Sequence, residues 1–151
     1  MIRGLSFEMP NGHGSYLNTI LSGTSLEKYV WMVSEDDAFT NSENYLFNSD
    51  VFTGQAFSEI IATPSYYVFF ANIQAYMRED DFCEINTYAD FLRSKCELII
   101  FIIDGIFADI YAKDQAIIEI IKKNAEESKF ENIRYITDEN DIRTEFSVNG
   151  F

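Results

Sequence analysis

The chain has 151 residues, 47% hydrophobic and 24% charged, which is the size and balance of one globular domain over 1–151 and excludes disorder. Eleven Lys and Arg face 25 Asp and Glu, a net charge of -14, so the basic stripe that nucleic acid or an anionic membrane surface requires is absent and neither partner is expected. The longest apolar run is Leu98 to Ile103, far short of the ~18 residues of a membrane span, and the first residues carry no signal-peptide core, so a cytoplasmic protein is expected.

Ile2, Leu5 and Phe7 predict a strand over 2–9. Pro10-Asn11-Gly12-His13-Gly14 is turn chemistry. A short helix follows, with Tyr16, Leu17, Ile20 and Leu21 on one face and Gly23 as its stop. Residues 28–34 predict a second strand around Trp31. Residues 35–50 are polar and acidic, with an apolar island at Tyr45-Leu46-Phe47, and are expected to form a long loop or edge strand. Ala56, Phe57, Ile60 and Ile61 give a helix over 53–62, stopped before Pro64. Residues 66–77 predict a strand, too continuously aromatic at 66–70 to be open on both faces.

Thr87 with Asp90 three residues on begins a further helix in the manner of a capping box. Asp104-Gly105 between two apolar runs predicts an antiparallel hairpin over 98–112. Its first arm is apolar on both faces and should be a central strand. Asp114 caps a long helix with an Ile117, Ile120, Ile121, Ala125 stripe and an expected Glu119–Lys123 pair. Ile133 to Ile136 is a last strand, and the polar end is expected to loop, with a short edge strand at 145–148. The fold class is therefore α+β: a single mixed sheet of about five to seven strands with about four helices. Cys83 and Cys96 are too few for a disulfide scaffold. Both are expected as free thiols, Cys96 buried and Cys83 exposed.

Three segments resemble a known family. They are Arg3-Gly4-Leu5-Ser6-Phe7-Glu8-Met9-Pro10-Asn11, then Thr87-Tyr88-Ala89-Asp90-Phe91-Leu92 running into Cys96-Glu97-Leu98, and Tyr135-Ile136-Thr137-Asp138-Glu139-Asn140-Asp141. Together they are similar to small proteins of Bacillus- and Clostridium-type bacteria, a family defined as a domain of unknown function. The resemblance implies a bacterial cytoplasmic protein. It carries over no catalytic or binding residue.

Catalytic chemistry has few carriers. His13 is the one histidine, so a Ser or Cys triad would have to use it. There is no Gly-x-Ser-x-Gly elbow, phosphate loop or paired zinc-ligand spacing, and no metal or cofactor is expected. The acidic runs Glu35-Asp36-Asp37, Glu79-Asp80-Asp81 and Asp138-Glu139-Asn140-Asp141 read first as solvated loops. The last begins like a calcium loop but has Arg143 where Gly is needed and Asn149 where Glu is needed.

Two function classes stand. From Tyr29 to Met77 there are six acids and no Lys or Arg. Asp36, Asp37, Phe39, Tyr45 and Phe47 could form an acidic, aromatic surface for a basic protein partner, as in an immunity, inhibitor or adaptor protein. The plainer reading folds these aromatics onto the core. The alternative is a small-molecule site, or a modest enzyme, at the strand–helix junction Gly12, His13, Gly14 and Ser15. There the plainer reading is a glycine-rich turn with an exposed histidine. The aromatic content also allows a homodimer interface.

Overall fold

The computed structural model describes residues 1–150. Its strands are β1 (Ile2–Glu8), β2 (Val30–Thr40), β3 (Val51–Thr53), β4 (Tyr66–Tyr76), β5 (Leu98–Ile103), β6 (Phe107–Ala112) and β7 (Glu131–Thr137). Its helices are α1 (Tyr16–Leu21), α2 (Gly54–Ile61), α3 (Tyr88–Arg93) and α4 (Gln115–Glu127). The strands form one 7-stranded sheet in the order β3-β2-β4-β5-β6-β1-β7. The fold class is α+β, and every strand pairing is antiparallel.

The central strand follows from its composition. β5 is the fourth strand in the order, and all six of its residues are buried. Leu98, Ile100 and Ile102 join the core on one face, and Ile99, Phe101 and Ile103 join the core on the other. Asp104 and Gly105 both have positive φ, 55° and 71°, as the tight hairpin turn between β5 and β6 requires. β1 slots between β6 and β7, so the last strand reaches the sheet edge by passing over the first. Gly4 permits the close approach: a Cβ there would lie 1.8 Å from the Ile110 carbonyl oxygen.

The two faces are covered differently. On the first face α1, α2 and α4 lay Leu17, Ile20, Leu21, Phe57, Ile61, Ile118 and Ile121 onto the sheet. Trp31 stacks on Phe57 with ring centroids 4.2 Å apart. The second face has a smaller core of Tyr76, Ile85, Phe91, Cys96, Ile99, Phe101, Ile103, Tyr111, Ile136, Phe146 and Val148. Its cover is the short α3, which carries a complete Thr87–Asp90 capping box, and the irregular segment after β7.

Several local expectations change. β2 runs on through the acidic stretch to Thr40 instead of stopping at 34. It does so by bulging at Glu35, whose φ is 50°, and the register with β4 slips between Ser34 and Asp37. The end of the chain makes no edge strand at 145–148. Phe146 and Val148 are instead buried on the second face, because the sheet leaves apolar surface there that no helix covers. Glu119 does not pair with Lys123. It accepts a hydrogen bond from the Tyr135 hydroxyl at 2.6 Å, and Lys123 faces Glu127 at 3.8 Å. Both cysteines are free, Cys96 buried and Cys83 exposed.

Candidate functional site

The register slip decides which side chains meet. In strict alternation Phe39 would share the first face with Trp31 and Val33. The bulge reverses that parity, so Asp37 lies opposite Phe70 and Phe39 opposite Tyr67, all on the second face. Tyr45 returns from the turn after β2, bridges Phe39 and packs on its ring at 5.4 Å. Tyr67 contacts Phe69 at 6.2 Å, and Phe69 meets Phe70 edge-on at 4.5 Å. The result is an aromatic strip, Tyr45–Phe39–Tyr67–Phe69–Phe70, along the part of the second face that no helix covers. Tyr45 is 74% exposed and Phe69 36%.

Carboxylates border this strip. Asp36 is exposed, Asp37 is half-buried beside Phe70, and Asp104 is exposed on the hairpin turn. That turn touches the strip, since the Gly105 N–H donates to the Phe69 carbonyl at 3.0 Å. Asp36, Asp37 and Asp104 make no side-chain hydrogen bond or ion pair among the described residues. Glu35 differs: its carboxylate accepts from Asn72 Nδ2 at 2.9 Å and from the Val148 N–H at 3.4 Å. It ties the bulge to the chain end.

Phe47 is not part of this surface. It is 5% exposed and packs among Phe52 and Phe57 in the first-face core. The turn that presents Tyr45 outward places the next two residues, Leu46 and Phe47, over the edge of β2, where apolar burial outweighs any surface role.

Beyond Phe70 the strip opens into a cavity of about 520 Å³ between the sheet and the segment 140–149. Phe70, Ile103, Phe107, Ile136, Ile142 and Val148 supply its apolar walls. Its charges are mostly engaged with one another. Arg143 Nη2 donates to Asp109 Oδ2 at 2.8 Å, Ser6 Oγ donates to Asp109 Oδ1 at 2.9 Å, and the guanidinium lies 4.2 Å from the centre of the Phe101 ring. Arg143 also donates to the Ser147 carbonyl, so one cation fastens the chain end to β6. Asp141 accepts from Tyr111 Oη at 2.9 Å and from Arg3 Nη1 at 3.1 Å. Burial first, and then the Asp141 charge, push the Tyr111 phenol well up, so it stays protonated and keeps donating.

The Gly12, His13, Gly14 and Ser15 junction is built differently from an anion site. Gly14 and Tyr66 exchange backbone hydrogen bonds at 3.0 and 3.2 Å. The Leu17 and Asn18 amides at the start of α1 donate to the Tyr66 hydroxyl at 3.1 and 3.4 Å. Ser15 Oγ donates to the Thr63 and Pro64 carbonyls. The hollow beside the turn is about 10 Å³, room for one water at most and too small for a small-molecule ligand. His13 is exposed and its ring lies 5.7 Å from that of Tyr67. Thus the two regions singled out from sequence, far apart in the chain, meet at Tyr67, whose hydroxyl also donates to Asn11 at 2.7 Å.

Among the described residues no three His, Cys, Asp or Glu side chains form a group able to hold a metal ion. No helix among them is long and apolar enough to cross a membrane.

A family model described as "Protein of unknown function (DUF2691)" matches residues 2–147. The chain belongs to this family. It is similar to "Uncharacterized protein YncE" of Bacillus subtilis (strain 168), 34% identical over 153 residues that cover 98% of this chain and 100% of that protein. No solved structure matches the chain. The DUF2691 match runs from β1 to Ser147, so it takes in the strip, Asp109, Asp141 and Arg143, and it leaves only Val148 and Asn149 of the cavity outside.

Sequence reasoning missed Tyr67, Phe69, Phe70, Asp104 and Asp109 as members of one site. Tyr67, Phe69 and Phe70 stood inside a run read as core strand. A signal did exist for Asp109, as the lone charge within an apolar hairpin arm.

Proposed function

We propose that this DUF2691 protein is a non-enzymatic interaction protein of the bacterial cytoplasm, one that regulates or inhibits a basic protein partner by binding it on the open part of the second face. The observation that carries this reading is the aromatic strip bordered by Asp36, Asp37 and Asp104, carboxylates with no partner of their own among the described residues. The strip belongs to a stretch, 29–77, with six acids and no Lys or Arg. A cation-free field of this kind steers a basic partner inward, and exposed rings supply the contact area that holds it. The cavity beside the strip contains no His or Cys, and its best-placed carboxylate, Asp109, is held by Arg143 and Ser6. That inventory suits binding better than proton transfer or nucleophilic attack.

The test is affinity capture from lysate of the native bacterium at low and high salt, repeated with variants. Asp36→Lys/Asp37→Lys should lose the captured basic protein, or slow its association by about tenfold or more at low salt. Tyr45→Ala should speed its dissociation. Glu127→Lys, a reversal on the far helix α4, should leave capture unchanged. If the strip variants capture the same protein as well as the unaltered chain does, this surface is not the interface.

A further inference from the structure

We infer that the cavity at the end of the aromatic strip is the seat of one arginine or lysine side chain of the basic partner, with its stem on the apolar walls and its cationic tip at Asp104. The inference rests on the proposed interaction reading and names what that partner must present.

Size and lining agree with this occupant. About 520 Å³ holds one long side chain together with part of its backbone. Arg and Lys combine an apolar stem with a charged tip, and the tip keeps to polar surroundings while the stem packs. Ile103, Ile136 and Val148 offer the stem an apolar bed, while Phe70 and Phe107 offer ring faces that attract a cation. Phe107 is 41% exposed, although it lies in a strand whose other side is fully buried. Charge selects the sign of the tip. Asp109 and Asp141 are already matched by Arg143 and Arg3, which leaves Asp104 as the carboxylate of the cavity with no partner among the described residues. Phe70 lies between Asp37 across β2 and the turn that carries Asp104, so a cation on that ring meets carboxylates from both sides. The opposing charge is Arg134, exposed on the edge strand β7 and separated from the β5–β6 hairpin by β1. An arginine anchored in a desolvated aromatic pocket is the residue type that dominates interface energetics.

The experiment uses probes of one shape and opposite charge on the full chain. Benzamidinium and benzoate are titrated separately at millimolar concentration, and amide shifts are followed by NMR. Saturable shifts at Ile103, Phe107, Ile136 and Val148 with benzamidinium, and none with benzoate, are expected. Asp104→Asn should weaken benzamidinium by about fivefold or more, the effect of one nearby charge. The variant keeps the fold, because Asn-Gly is itself a favoured sequence for this tight turn. Benzoate binding in place of benzamidinium would mean that Arg134 reads an anion, and would overturn the inference. So would an unchanged affinity in Asp104→Asn, or no saturable shift with either probe. The parent reading is tested apart from this: Asp36→Lys/Asp37→Lys acts on partner capture, and benzamidinium binding needs no partner. Capture lost in that variant with no benzamidinium site sinks the anchor alone. A benzamidinium site with capture insensitive to Asp36 and Asp37 sinks the interface alone.

Discussion

The two faces of the sheet are made by the same strands and yet differ in kind. The first is closed by α1, α2 and α4, with an aliphatic and aromatic core in which polar groups are few. The second is closed by a helix of six residues and an irregular chain end, and it holds the buried polar residues Asn72, Gln74 and Arg143. Tyr76 Oη donates to Gln74 at 2.7 Å, and Asn72 reaches Glu35, so a row of hydrogen-bonded side chains crosses this face, whereas the first-face core side chains Tyr66 and Trp31 donate to backbone carbonyls. The lesson is a division of labour. One face supplies stability by apolar burial. The other is held by specific polar ties that leave part of it open, and open surface is what a binding protein needs.

Substitutions can break this comparison, and the largest effect belongs to the first face. Phe57→Ala removes the ring that stacks on Trp31 and touches Phe47 and Phe52, and it should cost about 3–5 kcal/mol. Urea unfolding followed by Trp31 fluorescence measures this directly.

Arg143→Ala should cost about 3 kcal/mol, because Asp109 is left half-buried without its cation. Its signature differs from that of Phe57→Ala. Hydrogen exchange should accelerate at Thr144 and Phe146 well before it does in α2 or α4. Uniform acceleration across both faces would deny the second face its separate character.

Alkali should act on the second face first. Burial pushes the Cys96 thiol from an ordinary 9.0 up to about 12, and it likewise raises the phenols of Tyr76 and Tyr111 on the same face and Tyr66 on the other. These groups stay protonated in the fold and ionise more readily once it opens. The Cys96 contribution is therefore whole below pH 9 and is lost as pH rises toward 12, and the phenols begin to add their own loss only above pH 10. Cys96 alone removes about 1.4 kcal/mol per pH unit over that window. A urea midpoint that holds level from pH 9 to 11 would contradict this, and Cys96→Ala should make the fall shallower.

Smaller effects sharpen the contrast. Thr87→Ala breaks the capping box of α3 and should cost about 1 kcal/mol, with protection lost mainly in residues 86–94. Tyr45→Ala should change stability by less than about 0.5 kcal/mol, since its ring is largely exposed. A loss as large as that of Phe57→Ala would make Tyr45 a core residue and not part of an open strip.

Much of this was legible in the chain. The all-apolar Leu98–Ile103 run announces a strand buried on both faces, Asp104-Gly105 announces the hairpin, and Thr87 with Asp90 announces the cap of α3. In each case the determining interaction is local: a side-chain period, a turn that needs positive φ, or a hydrogen bond three residues long. The -14 charge and the cation-free stretch 29–77 are likewise properties of sequence.

Tertiary structure alone decided the site. Alternation says that a strand has two faces but not which face a bulge will exchange, and the slip at Glu35 is what carries Phe39 to Tyr67 while leaving Phe47 in the core. Arg143 reaches Asp109 across 34 residues, and Asn132 reaches Glu8 across 124. No local pattern encodes such pairings, because each depends on where β1 and the chain end lie in the folded sheet. Short-range chemistry wrote the elements, and the cavity, the strip and their charges exist only where long-range packing lets the second face stay partly uncovered.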